Sequence, residues 1–142
     1  MISGQPTIAL IDDDKVFQLI ASRTIRAGNF QGRILLFNNG AEALVHLEQN
    51  ADNVNELPEV IFLDINMPVV DGWAFMEEYI ELKQRLRKPI RIYMVSSSVD
   101  NRDISRAQSF EDIREYICKP VTREKFAELL AFYEEEIDGG RQ

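Results

Sequence analysis

Two rhythms of hydrophobic and polar positions alternate along this chain. Short, mostly apolar runs occur at Ile8 to Ile11, Ile34 to Phe37, Val60 to Leu63, Ile90 to Val95 and Tyr116 to Cys118. Runs of this length without polar alternation describe strands buried on both faces, and such strands belong to parallel sheets covered by helices. Between them, apolar residues return every three or four positions. Val16, Leu19, Ile20 and Ala27 follow Asp14, a candidate N-cap, and Gly28-Asn29 stops that helix; Gly40 opens a second through Ala43, Leu44 and Leu47. Trp73 to Leu86 predicts an amphipathic helix ended by Pro89, and a short, weakly patterned one is expected over Arg102 to Ser109. Thr122 caps a last helix with Phe126, Leu129, Leu130, Tyr133 and Ile137 on one face, before a frayed tail over 139–142. The connection from Asn50 to Pro58 is polar and long.

Five strand-helix repeats argue an α/β fold, a doubly wound five-stranded parallel sheet with right-handed crossovers and helices on both faces. Ligands of such sheets bind beyond the carboxyl ends of the strands. There the sequence places its least expected residues. Asp12, Asp13 and Asp14 follow the first strand, Asp64 the third, Ser96 the fourth and Lys119 the fifth. A carboxylate at the end of a buried strand is costly unless something pairs with it.

Two carboxylates about 4 Å apart at an effective dielectric near 20 repel by roughly 4 kcal/mol. A hard divalent cation relieves that repulsion, and Mg²⁺ takes a few carboxylates together with waters and a phosphoryl oxygen. Lys119 and the Ser96 hydroxyl can then meet the other phosphoryl oxygens, which leaves Asp64 as a nucleophile that would form an acyl phosphate.

Asp12-Asp13, Leu63-Asp64-Ile65-Asn66-Met67-Pro68 with Asp71-Gly72, Ser96 and Lys119-Pro120 together resemble the receiver domain of bacterial two-component response regulators, over about Thr7 to Glu135. The resemblance implies a flavodoxin-like strand order of 2-1-3-4-5 and a cis peptide bond before Pro120. It also implies phosphorylation of Asp64 by a histidine kinase or histidine phosphotransfer protein, with Mg²⁺ held by Asp12, Asp13, Asp64 and the main-chain carbonyl of Asn66. Ser96 and Tyr116 match the family's switch pair. Such a protein catalyses only its own phosphorylation and dephosphorylation. Its output is expected through a downstream protein partner, or self-association, at the fourth helix, fifth strand and fifth helix. Ser97, where small residues such as alanine are common, is a mild departure.

Size and charge narrow the alternatives. With 142 residues the chain is expected to form one receiver domain over 1–142, its core at about 7–135, with no output domain attached. A net charge of −8 disfavours direct binding to nucleic acid or to an anionic membrane. The start lacks the basic and apolar regions of a secretory signal, and the single cysteine suits a cytoplasmic protein. Cys118 is expected to be a small buried hydrophobe, His46 a half-exposed helix residue, and Trp73 a packing residue near the site. A haloacid dehalogenase-like phosphatase needs a second acid where Asn66 stands, and a flavin-binding flavodoxin needs a phosphate loop where three aspartates stand. Two alternatives stay open: a receiver-like protein-binding module that works without phosphorylation, and a phosphate sink for a kinase.

Overall fold

A computed structural model describes residues 6–140, with side-chain surroundings described up to residue 131. Five parallel strands, β1 (Thr7–Ile11), β2 (Arg33–Phe37), β3 (Val60–Leu63), β4 (Arg91–Ser96) and β5 (Ile113–Cys118), lie in the order β2-β1-β3-β4-β5. The helices between them are α1 (Lys15–Ala27), α2 (Gly40–Gln49), α3 (Gly72–Leu82), α4 (Asn101–Gln108) and α5 (Arg123–Gly140). The order is the expected one, and the chain switches sides at β1 and β3, whose carboxyl ends are adjacent.

Strand alternation divides the core into two. Ala9, Ile11, Ile61, Leu63, Ile92 and Met94 pack with Ala43, Leu47, Trp73, Phe75, Met76 and Ala107 of α2, α3 and α4. Ile8, Leu10, Val60, Phe62, Tyr93, Val95 and Ile117 pack with Ala21, Ile25, Phe126, Leu129 and Leu130 of α1 and α5. The central strands are buried along their length because both faces are used, which explains their uninterrupted apolar runs. Each helix starts at a residue suited to accept its free amides. Asp14, Asn39, Asp71 and Asp100 cap α1 to α4 with their side chains, and the Thr122 hydroxyl accepts from the Lys125 amide at 3.0 Å.

Several details differ from the sequence reading. The helix after Trp73 ends at Leu82 and continues only as a 3₁₀ turn over Lys83–Arg85, and β5 begins three residues earlier than its apolar core. Cys118 is exposed, because it ends β5 on the outward side of the strand's alternation. In α1, the residues whose spacing announced the helix face solvent: Val16, Leu19 and Ile20 are 64%, 51% and 58% exposed. The inward position belongs to Gln18, whose Nε2 donates to the Asp12 carbonyl at 2.7 Å and to the Phe37 carbonyl at 3.1 Å. A glutamine wins there because its amide reaches the carbonyls at the ends of β1 and β2 together, adding a second donor to the Phe37 carbonyl that already accepts the Asp12 amide. The helix α5 runs to Gly140, into the stretch read as a tail; Arg141 and Gln142, and the side chains of Tyr133 and Ile137, lie outside the described residues.

Gly72 sets the distance between α3 and the end of β3. Its amide donates to the Ile65 carbonyl at 2.8 Å, and a Cβ there would collide with the Asp64 carbonyl oxygen and lie 2.9 Å from Ile65 Cα. Both of those neighbours are backbone and cannot rotate away. Gly72→Ala is therefore expected to destabilise the fold by about 1–3 kcal/mol, in the range of overpacked cores. Urea unfolding of the variant checks this; a midpoint equal to that of the parent would show that the approach is looser than described.

Candidate functional site

The strand registers carry the candidate site residues to one rim. Ile11 pairs with Leu63, so Asp12 and Asp64 stand level on adjacent strands, and Ser96 pairs with Cys118, next to Lys119. Backbone bonds continue the sheet past the strand ends: the Asp12 amide donates to the Phe37 carbonyl at 3.0 Å, the Asp64 amide to the Ile11 carbonyl at 2.9 Å, and the Lys119 amide to the Ser96 carbonyl at 2.9 Å. The peptide bond before Pro120 is cis.

Asp12 and Asp64 are buried, at 1% and 8% exposure, whereas Asp13 is exposed. One carboxylate oxygen from each of the three lies within 4.8 Å of the others. Lys119 offsets part of this charge, with Nζ 2.7 Å from Asp12 Oδ2 and 3.7 Å from Asp64 Oδ2. Asp12 Oδ1 also accepts the Asp14 amide at 2.9 Å, and Asp64 Oδ1 accepts the Ile65 amide at 2.8 Å. These partners do not suffice for Asp64. Burial, followed by the neighbouring charge of Asp12, pushes its carboxyl up to about 6, against the opposing pull of Lys119 and the Ile65 amide.

That resistance to ionisation is the observation on which a metal can be judged. A pocket of oxygen ligands in which ionisation of one member is resisted suits a hard divalent cation, because added positive charge removes the resistance. The donor set contains no histidine or thiolate, which favours Mg²⁺ over softer metals. Asn66 lies on the exposed loop two residues past Asp64. That loop turns tightly at Val69, a β-branched residue with φ 68°, and the Val70 amide donates to the Pro68 carbonyl at 2.8 Å.

Ser96 is fully buried, and its Oγ accepts the Ser98 amide at 3.1 Å. Tyr116 is half-buried and donates its hydroxyl to the Ser98 carbonyl at 2.8 Å. Ser98 in turn donates its hydroxyl to Asp103 at 2.7 Å, in the first turn of α4. The two residues expected as a switch pair are thus joined through Ser98, to which the sequence reading gave no role. Trp73 packs close behind, stacked on Phe110 with centroids 6.1 Å apart and covered by the Arg106 guanidinium at 4.6 Å. His46 is half-exposed on α2, where its ring bonds the Glu56 carbonyl, away from this rim.

Similarity to known proteins agrees with this geometry. The family model of the response regulator receiver domain matches residues 8–131. A probable methanogenesis regulatory protein, FilR2 of Methanothrix harundinacea, is 29% identical over 117 residues, which cover 82% of this chain and 74% of that protein. The transcriptional regulatory protein PrrA of Mycobacterium tuberculosis is 30% identical over 89% of this chain, but the match spans only 47% of PrrA. The crystal structure of a two-component response regulator from Cytophaga hutchinsonii superposes with a TM-score of 0.81 at 25% identity, covering 92% of this chain and 98% of that one. With a buried acid among carboxylates and a lysine at the mouth of a 2-1-3-4-5 sheet, and a family match over nearly its whole length, this chain belongs to the response regulator receiver domains.

Proposed function

We propose that Asp64 accepts a phosphoryl group from a phosphohistidine on a histidine kinase or histidine phosphotransfer protein. The observation that carries this reading is the buried Asp64 between two further carboxylates and the Lys119 ammonium. Asp64 Oδ1 is engaged by the Ile65 amide, so Oδ2, which faces Lys119, is the oxygen free to attack phosphorus. The new P–O bond forms as the P–N bond of the donor breaks, and the electron pair returns to the histidine nitrogen. Lys119 balances charge on the phosphoryl oxygens, as in other phosphoryl transfers. Asp12, Asp13, Asp64 and the Asn66 carbonyl would hold Mg²⁺, which when bound neutralises charge shared between the carboxylates and the phosphoryl group. The chain thus catalyses its own modification and the hydrolysis that reverses it.

The donor must cover the rim to reach Asp64, and the outer face of α1 is continuous with that rim. Val16 lies two residues beyond the capping Asp14, and with Leu19 and Ile20 it forms an exposed aliphatic stripe. We assign this stripe to the donor protein. An acidic, cytoplasmic signalling module that touches neither nucleic acid nor membrane is the reading that fits the charge of −8. No helix among the described residues is long and apolar enough to cross a membrane.

Output follows from the Ser96, Ser98 and Tyr116 connection. A phosphoryl oxygen on Asp64 that accepts the Ser96 hydroxyl draws Oγ toward Asp64 and away from the Ser98 amide, and release of Ser98 frees both Tyr116 and the first turn of α4. The surface formed by α4, β5 and α5 then differs between the two states, and a downstream protein or a second copy can distinguish them.

Three measurements test this function. Incubation with acetyl phosphate and Mg²⁺ is expected to add one labile phosphoryl group, detected by mass spectrometry; Asp64→Asn abolishes it, and Lys119→Ala slows it on the order of a hundredfold. Labelling of the Asp64→Asn variant at the parental rate would refute the assignment.

The second concerns stability in the absence of metal. Because the folded-state carboxyl of Asp64 is raised from 3.8 to about 6, its contribution is fully present below about pH 4 and is lost as pH rises through 6. In chelator at pH 8, Asp64→Asn should therefore be more stable than the parent by about 1–3 kcal/mol. Saturating Mg²⁺ should stabilise the parent more than the variant, which lacks one ligand charge, and so narrow the gap. Urea titrations at pH 4, 6 and 8 read all of these effects, and a pH-independent difference between the proteins would contradict the electrostatic account.

The third is hydrogen exchange with and without beryllofluoride, a mimic of the acyl phosphate. Changes are expected across residues 96–120. Changes confined to the Asp64 loop would instead favour a phosphate sink.

A further inference from the structure

Lys119 has a third partner besides the two aspartates. Its Nζ sits 4.4 Å from the centroid of the Phe17 ring, well within the range of a cation–π contact. Phe17 is itself held. Its amide donates to the capping Asp14 carboxylate at 3.1 Å, and its half-buried ring packs against the core shared by α1 and α5. The ring is therefore a fixed wall on the α1 side of the rim, and the lysine chain, 17% exposed, lies between that wall and the carboxylates.

The three contacts respond differently to a cation. In the metal-free arrangement the ammonium is tethered mainly by Asp12 at 2.7 Å, the carboxylate that divalent binding would claim. Once Asp12 turns to a cation, the ammonium loses its strongest partner and is repelled by the added charge. Asp64 Oδ2, at 3.7 Å, is weaker support and is the atom that reacts. Among the described residues, the Phe17 face is the partner of Lys119 that neither cation binding nor phosphorylation consumes. An aromatic ring holds an ammonium without neutralising it, so the charge stays available to phosphoryl oxygens.

We propose that Phe17 is a positioning residue that keeps the Lys119 ammonium facing Asp64 after Asp12 has been taken by the cation. The proposal rests on the reading of Lys119 as a partner of the phosphoryl group, and the experiment separates the two. Phosphorylation by acetyl phosphate at saturating Mg²⁺ is timed for the parent, Phe17→Leu, Phe17→Tyr, Lys119→Ala and the Phe17→Leu/Lys119→Ala double variant, with melting temperatures recorded for each. Phe17→Leu keeps an apolar side chain but removes the π face, and is expected to slow labelling about fivefold. Its Mg²⁺ titration should stay within about twofold of the parent, because the carboxylates are untouched, and Phe17→Tyr should restore the rate. In the Lys119→Ala background, Phe17→Leu should add nothing, since the two act as one unit.

A second readout does not depend on phosphorylation. In Mg²⁺-loaded protein, the Lys119 ε-methylene protons should remain shifted upfield by the ring current in the parent and in Phe17→Tyr, and move to an ordinary lysine position in Phe17→Leu. Parental labelling rates in Phe17→Leu, equal slowing by it in both backgrounds, or an unshifted Lys119 in the Mg²⁺-loaded parent would each overturn the proposal. If instead Lys119→Ala labels as fast as the parent, the role of the lysine itself falls, and the positioning role falls with it.

Discussion

Like charge forced together at the carboxyl end of a sheet is the constraint from which the rest of this molecule follows. Parallel pairing of β1 with β3 sets Ile11 beside Leu63, and the next residue on each strand is an aspartate. Neither can withdraw, because their amides complete the sheet by bonding the Phe37 and Ile11 carbonyls. The fold therefore holds a repulsion that it only partly relieves with one lysine. Removing this conflict would stabilise the fold and dismantle the proposed site, a trade of stability for function that is common at active centres.

Much of the architecture was legible because the central strands are buried on both faces and so write themselves as unbroken apolar runs. Asp12, Asp64, Ser96 and Lys119 were legible for the opposite reason, as polar residues that interrupt those runs at equivalent places. What escaped were features in which a polar group replaces an apolar one or the partner is remote in sequence. Gln18 looks like surface but closes two strand ends, and its presence inside turns Val16, Leu19 and Ile20 outward. Phe17 meets Lys119 across the domain, and no local pattern announces a ring placed over a lysine so far along the chain. Ser98 sits in a run of three serines whose members differ only by what the folded loop offers each of them. Cys118 fails as a core residue because a hydrophobic scale cannot say which side of a strand's last residue faces out.

The two halves of the core have different duties. On one face, α1 and α5 pack over Phe62 and Tyr93, with Phe62 edge-on to Phe126 of α5 at 5.3 Å, a dense aromatic contact. On the other face, α4 is one of the shorter helices and buries only Ala107, and its first turn is tied to the rim through the Ser98 and Asp103 hydroxyl-carboxylate bond. A helix with so little buried surface of its own can shift at small cost. The segment expected to change shape is thus the one the packing holds least tightly.

Trp73 gives that arrangement a practical consequence. It is the only tryptophan in the chain, it follows Gly72 in the first turn of α3, and its ring lies against Phe110 and under the Arg106 guanidinium of α4. Indole emission depends on the charges and on the water around the ring. The protein therefore carries a built-in optical gauge at the joint between the Asp64 loop and a weakly anchored helix, and displacement of α4 can be followed in the unlabelled chain, in real time, by fluorescence alone.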